Sequence, residues 1–389
     1  MNGRRYLEAP IRDDLTAKMV FLAGPRQVGK TTLAQHLLAA AGAGLYLTWD
    51  NRADRREIRA AHWPGGAALV VLDELHKWRE WKNWIKGEYD KHHTTTQFLV
   101  TGSARMDVYR RGGDSLQGRY HHYRLHPFSH NEARGIHPPA VEPGQALPVG
   151  AGSKDVVEAL LRYGGFPEPF LAQSDRTHRR WQKERLDRFV REDVRDLDGV
   201  RDVSSIEILE DLLPGRVGSP LSLNALREDL EVSHRALTHW IEILDRLYYL
   251  VRVRPHESRQ VRALRKMPKA YLWDWSLVAE PGARFENLVA MHLLKFCHGL
   301  QDRDAVDVDL RYLRDRTGRE VDFLLTMKGK PWVAVEAKVG ETRIDPALRY
   351  FRDRLKIPFV YQVVLNGTRD FVEDGIRCVP APQFLAALI

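Results

Sequence analysis

Three sets of side chains in this sequence have the types and spacing to do chemistry. The first is Gly24-Pro25-Arg26-Gln27-Val28-Gly29-Lys30-Thr31, which fits G-x-x-x-x-G-K-[ST]. Glycines at that spacing let backbone N–H groups curl round phosphates, and a helix opening at Thr32 adds its favourable dipole. Gly24 to Thr32 therefore form the expected binding set for ATP, with Lys30 reaching the outer phosphates and the Thr31 hydroxyl ligating Mg²⁺. Ala68 to Glu74 is an apolar run ending in two acids. Asp73 suits the magnesium shell and Glu74 suits polarisation of the attacking water. A further run, Gln97 to Thr101, ends in Gly102-Ser103, where a hydroxyl could contact the terminal phosphate or simply close a turn.

The second set is acidic. Asp322 lies in Glu320 to Leu325, and Glu336 and Lys338 lie in Val333 to Lys338. Lys328-Gly329-Lys330 reads as a hairpin turn. Pairing symmetric about Gly329 sets Asp322 opposite Glu336 and Glu320 opposite Lys338. Period-two geometry then puts these four on one sheet face, with Val321, Phe323, Val335 and Ala337 on the other. Such a group suits a divalent metal held by Asp322 and Glu336, with Lys338 orienting water and stabilising charge on a phosphate. A structural ion-pair network is the competing reading.

The third set is basic. The chain's 60 Lys and Arg against 52 Asp and Glu leave +8. Eight basic residues from Arg246 to Lys269 meet only one acid, Glu257, so nearly all of the excess is local. Leu223 to Leu230 reads as a short helix, and Ser233 as the N-cap of a longer one burying Leu237, Trp240, Ile241, Leu244, Leu247 and Tyr248. Followed by strands at Leu250 to Arg254 and Arg262 to Trp273, these describe a winged helix. Its second helix would present Ser233, His234, Arg235, Thr238 and His239 to a DNA major groove, while Arg252, Arg254, Arg262 and Arg265 contact phosphates. The alternative is a basic hairpin that pairs with acids of the protein itself. Trp78, Trp81 and Trp84 could stack bases, but their spacing with Ile85 and Tyr89 favours core packing.

The elements that must position these sets fall in order along the chain. Met19 to Ala23, Leu45 to Trp49, Leu69 to Leu72 and Gln97 to Thr101 alternate with helical patterns, which is the signature of a parallel α/β sheet. His137 to Gly152 carries four of the twenty prolines and reads as a linker without regular structure. Helical periodicity dominates from Lys154 to Leu250. A helix from Arg284 to Cys297 then precedes strands at Asp309 to Leu313, Val321 to Leu325, Val333 to Ala337 and Phe359 to Leu365. The expected division is 1–136, an ATPase domain; 137–153, a linker; 154–205, a helical lid-like segment; 206–275, a winged helix; and 276–389, a nuclease-like domain. No apolar run approaches the ~18–20 residues of a membrane span, and the N-terminus lacks the apolar stretch of a secretory signal. A cytoplasmic protein without membrane contact is expected. Cys297 and Cys378 allow at most one disulfide and no cysteine-based zinc site.

The sequence resembles AAA-type P-loop ATPases, and among them a prokaryotic group that joins such a module to a C-terminal domain of unassigned function. The matching segments are Gly24 to Thr31, Leu72-Asp73-Glu74-Leu75-His76, Thr101-Gly102-Ser103-Ala104-Arg105, Leu116-Gln117-Gly118-Arg119, Leu125 to Ser129, Gly164 to Glu168 and Gly318 to Phe323. The resemblance implies ATP hydrolysis with Mg²⁺ and a homo-oligomer such as a ring, with Arg119 or Arg105 sensing nucleotide across a subunit boundary. It also implies a winged helix on DNA. The Asp322, Glu336, Lys338 pattern is similar to that of restriction-endonuclease-like nucleases, whose fold places a further acid on the preceding helix, here Glu286. The resulting expectations are metal-dependent cleavage of DNA, a DNA-junction motor that does not cut, or a regulatory ATPase switch with a protein partner.

Overall fold

The computed structural model describes residues 5–63, 68–103, 116–188, 203–257, 267–340 and 343–389, which form two compact units, Met1–His126 and Pro127–Ile389. Arg105, Arg259, Arg262, Arg265 and Lys266 lie outside the described residues. Among the described residues no helix is long and apolar enough to cross a membrane, and Cys297 and Cys378 are both buried and form no disulfide.

The first unit is an α/β layer structure. Strands β1 (Met19–Ala23), β3 (Leu69–Asp73) and most of β4 (Gln97–Gly102) are buried, as a parallel sheet covered on both faces requires. With β2 (Gly44–Thr48) and β5 (Tyr120–Arg124) they form an all-parallel sheet in the order β2-β3-β4-β1-β5. Because β4 inserts between β1 and β3, Asp73 pairs in register with Thr101, and Gly102 with Ala23. The loop after β1 therefore emerges beside the acids that end β3. The tryptophan series packs inward: Trp81 is buried against Phe21, and Trp78 stacks on Trp49 with ring centroids 4.8 Å apart.

The second unit opens with Ser129, which caps Glu132 N–H while the Glu132 carboxylate accepts from Ser129 N–H. Helices Lys154–Tyr163, Pro167–Ala172 and Asp175–Arg188 follow, then Val203–Leu212, Leu223–Asp229 and His234–Arg246. Gly164-Gly165 permits a close approach, since a Cβ on Gly165 would lie 2.9 Å from the Phe128 carbonyl oxygen and 2.5 Å from the Trp275 ring. An eight-stranded sheet completes the unit. It runs β12 (Phe371–Glu373), β13 (Ile376–Pro380), β11 (Phe359–Val364), β10 (Lys330–Lys338), β9 (Glu320–Met327), β8 (Val308–Arg314), β6 (Leu250–Pro255) and β7 (Lys269–Leu272). Helix Pro281–Asp304 packs on this sheet, as does Pro346–Leu355, which buries Leu348 and Phe351. The side-chain amide of Asn287 pairs with both backbone groups of Leu272, covering the edge strand β7.

Two sets of contacts run across the expected divisions. Residues 127–136 belong to the second unit, because Asn131 donates to the carbonyls of Ala386 and Leu388. The 206–275 and 276–389 segments share one sheet, since β6 pairs with β8 at Arg254 and Pro255. The stretch 137–153 has no helix or strand, yet it is packed: Leu147 is buried, and Gln145 O accepts from Trp332 Nε1.

Candidate functional site

The loop Gly24 to Gly29 owes its path to local backbone demands. Gly29 at φ 98° and Gln27 at φ 61° turn the chain into helix Lys30–Ala41. A Cβ on Gly24 would lie 2.5 Å from the Leu125 carbonyl oxygen. Buried Arg5 ties the loop down, donating to the carbonyls of Val28 at 2.7 Å and of His126. Val28 is buried, Pro25 and Arg26 line the turn, and Thr32 is exposed on the first helical turn. Lys30 is buried, its ammonium donating to the Gly24 and Pro25 carbonyls at 2.9 Å each.

Asp73 is the hub beside this loop. Its Oδ2 accepts from Thr31 Oγ1 at 3.1 Å and from the Tyr46 hydroxyl at 2.5 Å, and its Oδ1 accepts from Thr101 Oγ1. Burial, then Asp73 itself, pushes Tyr46 well above the ordinary phenol value, so it stays a donor. Glu74 has φ 55°, a left-handed conformation rare for a side chain of this kind. Its carboxylate accepts from Ser103 Oγ at 3.2 Å and lies 3.7 Å from Lys77 Nζ. Thr101 and Ser103 thus do more than close a turn, since each fixes one of the two acids. The Thr31 hydroxyl and Asp73 carboxylate fit Mg²⁺, which takes few protein oxygens and leaves its remaining positions to phosphate and water. Bound there, the ion would neutralise charge on the phosphates. Sequence reasoning did not find Arg5 or Tyr46, because neither belongs to a local motif.

Arg119 lies elsewhere in the unit. It immediately precedes β5, whose first residue pairs with Met19, so it sits at the opposite end of the sheet from the phosphate loop. Its guanidinium grips Asp90 at 2.6 and 3.1 Å. It cannot touch a nucleotide held by its own chain.

In the second unit the acidic residues converge, but on a lysine. Lys269 is 1% exposed, and its Nζ lies 2.6 Å from Glu320 Oε1 and 3.1 Å from both Glu286 Oε1 and Asp322 Oδ1. The Tyr271 hydroxyl donates to Glu286 at 2.7 Å. Asp322 Oδ2 accepts from Ala337 N–H, and Glu336 Oε2 accepts from Asp322 N–H, each at 3.1 Å. Lys338 bridges Glu336 at 2.8 Å and Asp345 at 2.9 Å. Val335 pairs with Phe323, which is the expected alignment, although the turn is not symmetric about Gly329. Met327 pairs with Lys330 across a two-residue turn, Lys328 at φ 50° and Gly329 at φ 74°, and an irregularity between Pro331 and Val333 restores the register. Among the described residues no group of three or more His, Cys, Asp or Glu is arranged to hold a metal ion. The metal pair expected at Asp322 and Glu336 does not fit, because both carboxylates are engaged by lysines and backbone N–H groups.

Burial, then Asp322, pushes Glu286 up to about 7 and Glu336 up to about 8. Burial pushes Glu210 up to about 8 as well. Burial alone would lower the Lys269 and Lys338 ammoniums. The surrounding carboxylates outweigh it and hold both above the ordinary lysine value. A raised carboxyl stabilises the fold fully below its unfolded value, and that stabilisation is lost as pH rises through the folded value. The lysine contributions persist until pH passes the ordinary lysine range. Stability should therefore fall between pH 7 and 9, by on the order of a few kcal/mol. Urea midpoints at these pH values check this, and Glu336→Gln should flatten the slope.

The helix–hairpin elements present the basic set only in part. Ser233, His234, Arg235 and His239 are exposed at the start of helix His234–Arg246, and Thr238 is half-buried. Ser233 caps the helix through Ala236 N–H at 3.1 Å. Arg252 pairs with Asp245 at 3.0 Å, and Arg254 is half-buried on β6. Lys269, counted with the basic surface, is instead interior.

Comparison with known proteins divides the chain in a related way. The AAA domain family matches residues 16–134, and two domains of unknown function match 154–281 (DUF8612) and 281–384 (DUF4143). The chain is 22% identical to the uncharacterized proteins Rv2008c of Mycobacterium tuberculosis and Mb2031c of Mycobacterium bovis, over 98% of this chain and 84% of each relative. Among solved structures, the RuvB Holliday junction branch migration motor of Thermotoga maritima is 19% identical, covering 65% of this chain and 89% of that one at a TM-score of 0.32. AMPPCP-bound DnaA of Aquifex aeolicus is 13% identical, with 61% and 86% covered and a TM-score of 0.31. The fold rests on the strand order and phosphate loop rather than on these superpositions.

Proposed function

Taking the chain as an AAA-type protein with a C-terminal domain of unknown function, we propose that it hydrolyses Mg-ATP in its first unit and uses that cycle to act on DNA held by its second. The observation that carries the ATPase half is the convergence of Lys30, Thr31, Asp73 and Glu74 at one end of the sheet, with Asp73 and Glu74 each fixed by a hydroxyl from β4 or the residue after it. In this reading the backbone of Gly24 to Gly29 wraps the phosphates. Lys30 leaves the loop carbonyls for phosphate oxygens, and Glu74 orients the attacking water. Arg119 serves a neighbouring copy, which makes the active form a homo-oligomer.

The DNA half is supported by the exposed start of helix His234–Arg246 beside the β6–β7 hairpin, the arrangement of a winged helix. The domains we propose are the ATPase up to His126, and one body from Pro127 in which the winged helix and the nuclease-like sheet are fused.

Two measurements test the proposal. ATP turnover should rise on adding duplex or four-way-junction DNA at low salt. Retention on DNA-cellulose should weaken steeply with salt, and replacing Arg252, Arg254, Arg262 and Arg265 by Gln should reduce the slope of log affinity against log salt by roughly 0.9 for each phosphate that is no longer neutralised. Unchanged elution and unstimulated turnover would instead favour a protein partner for the second unit.

A further inference from the structure

We infer that the carboxylate cluster of the second unit is a cation site whose resident cation is the Lys269 ammonium, so that the intact chain takes no divalent metal there. This is independent of the ATPase reading and concerns residues that the DNA proposal does not use.

Three observations carry it. First, the donor and acceptor numbers match. Lysine has three N–H bonds, and Nζ meets one oxygen each from Glu286, Glu320 and Asp322, at 3.1, 2.6 and 3.1 Å. These oxygens come from helix Pro281–Asp304 and from alternate residues of β9, so they converge on one point as hard-cation ligands do. Second, the remaining oxygens have other duties. Asp322 Oδ2 holds Ala337 N–H, and Glu336 is held by Asp322 N–H and Lys338. Glu286 Oε1 also takes the Tyr271 hydroxyl, and Glu320 Oε2 accepts from Arg314 at 3.0 Å. Third, the ammonium is anchored by its backbone. Lys269 pairs with Val253 on β6 and is bridged to Pro220, which fixes where its stem starts, and the side chain is 1% exposed, so the ammonium is held inside the fold. A Mg²⁺ ion would have to share a buried space with a fixed like charge, which the low dielectric penalises.

The inference predicts a gain of function on removing the lysine. The full-length chain is studied without nucleotide, with Asp73→Asn in every protein so that the phosphate loop contributes no ion. Mn²⁺ is the probe, its bound fraction counted by electron paramagnetic resonance and its effect on melting temperature recorded. The parent should bind no Mn²⁺ at millimolar concentration and melt at the same temperature with and without it. Lys269→Met should melt lower in the absence of metal, bind one Mn²⁺ per chain and recover much of the loss when it is present. Lys269→Met/Asp322→Asn relieves the excess negative charge, so it should fold without metal and bind none. Mn²⁺ bound by the parent and lost in Asp322→Asn would overturn the inference. So would a Lys269→Met chain that folds without taking up Mn²⁺, or one that folds neither with nor without it, because a vacated three-carboxylate site should be filled by the ion.

Discussion

Lys30→Ala should lower ATP turnover by about 10³-fold, the upper end of what removing one preorganised charge donor from a transition state costs. The size of the effect follows from where the ammonium sits. Lys30 is 6% exposed, at the first turn of a helix whose N-terminus already favours anions. Its two loop-carbonyl bonds hold it in the cradle, and carbonyls orient an ammonium without cancelling its charge. In so dry a position that charge acts on phosphate oxygens with little screening. Nucleotide affinity should fall with turnover in this variant. Glu74→Gln provides the contrast: under the proposed role of Glu74 in orienting the attacking water, it should abolish turnover while keeping affinity for a fluorescent ATP analogue. Retained turnover in Lys30→Ala would remove the phosphate-site assignment, and equal loss of affinity in both variants would remove the distinction between binding and water activation.

That pair of variants rests on residues that were legible because their signals are local. β1 and β3 are apolar throughout, the glycine spacing is rigid, and two acids end a buried strand, so motif and element support each other. β5 was not legible. Tyr120-His121-His122-Tyr123-Arg124 is an edge strand whose side chains are mostly half-exposed, so no apolar run marks it. The hairpin register is the expected one although the turn is not, because both strands are buried along most of their length, so packing of their side chains fixes the pairing more strongly than the loop does. Lys269 shows where counting charge fails. It adds to a basic window by sequence, yet every residue of Lys269 to Leu272 is buried. A lone lysine opening an apolar strand was the available signal, and it called for an acidic partner inside the protein rather than a phosphate outside it. Seven of the chain's eight formal excess charges lie in the window 246–269. Lys269 is neutralised by Glu286, Glu320 and Asp322, and Arg252 by Asp245. The unpaired basic surface expected from the sequence is therefore narrower on the described residues, and the proposed DNA contact shifts to the helix start more than to the strands.

The largest loss of stability should come from Lys295→Met. Lys295 sits mid-helix in Pro281–Asp304 with 2% of its side chain exposed, and it pairs with Glu132, which is 3% exposed. It also donates to the Pro127 carbonyl at 2.9 Å. These bonds hold the entry of the second unit, where Glu132 is committed to the Ser129 capping box. Methionine keeps the hydrocarbon volume but takes away the cation that this buried carboxylate faces, at a cost of about 3–5 kcal/mol. For a unit of this size that is roughly 6–15 °C in melting temperature. Lys295→Met/Glu132→Gln should recover most of it. Glutamine can still accept from Ser129 N–H and carries no charge to strand, and replacing a whole buried pair by neutral groups is often close to neutral. Urea unfolding of the single and double variants, read as a double-mutant cycle, gives the coupling directly. If the double variant falls as far as Lys295→Met alone, the stabilisation comes from the bond to Pro127 and not from the charge pair.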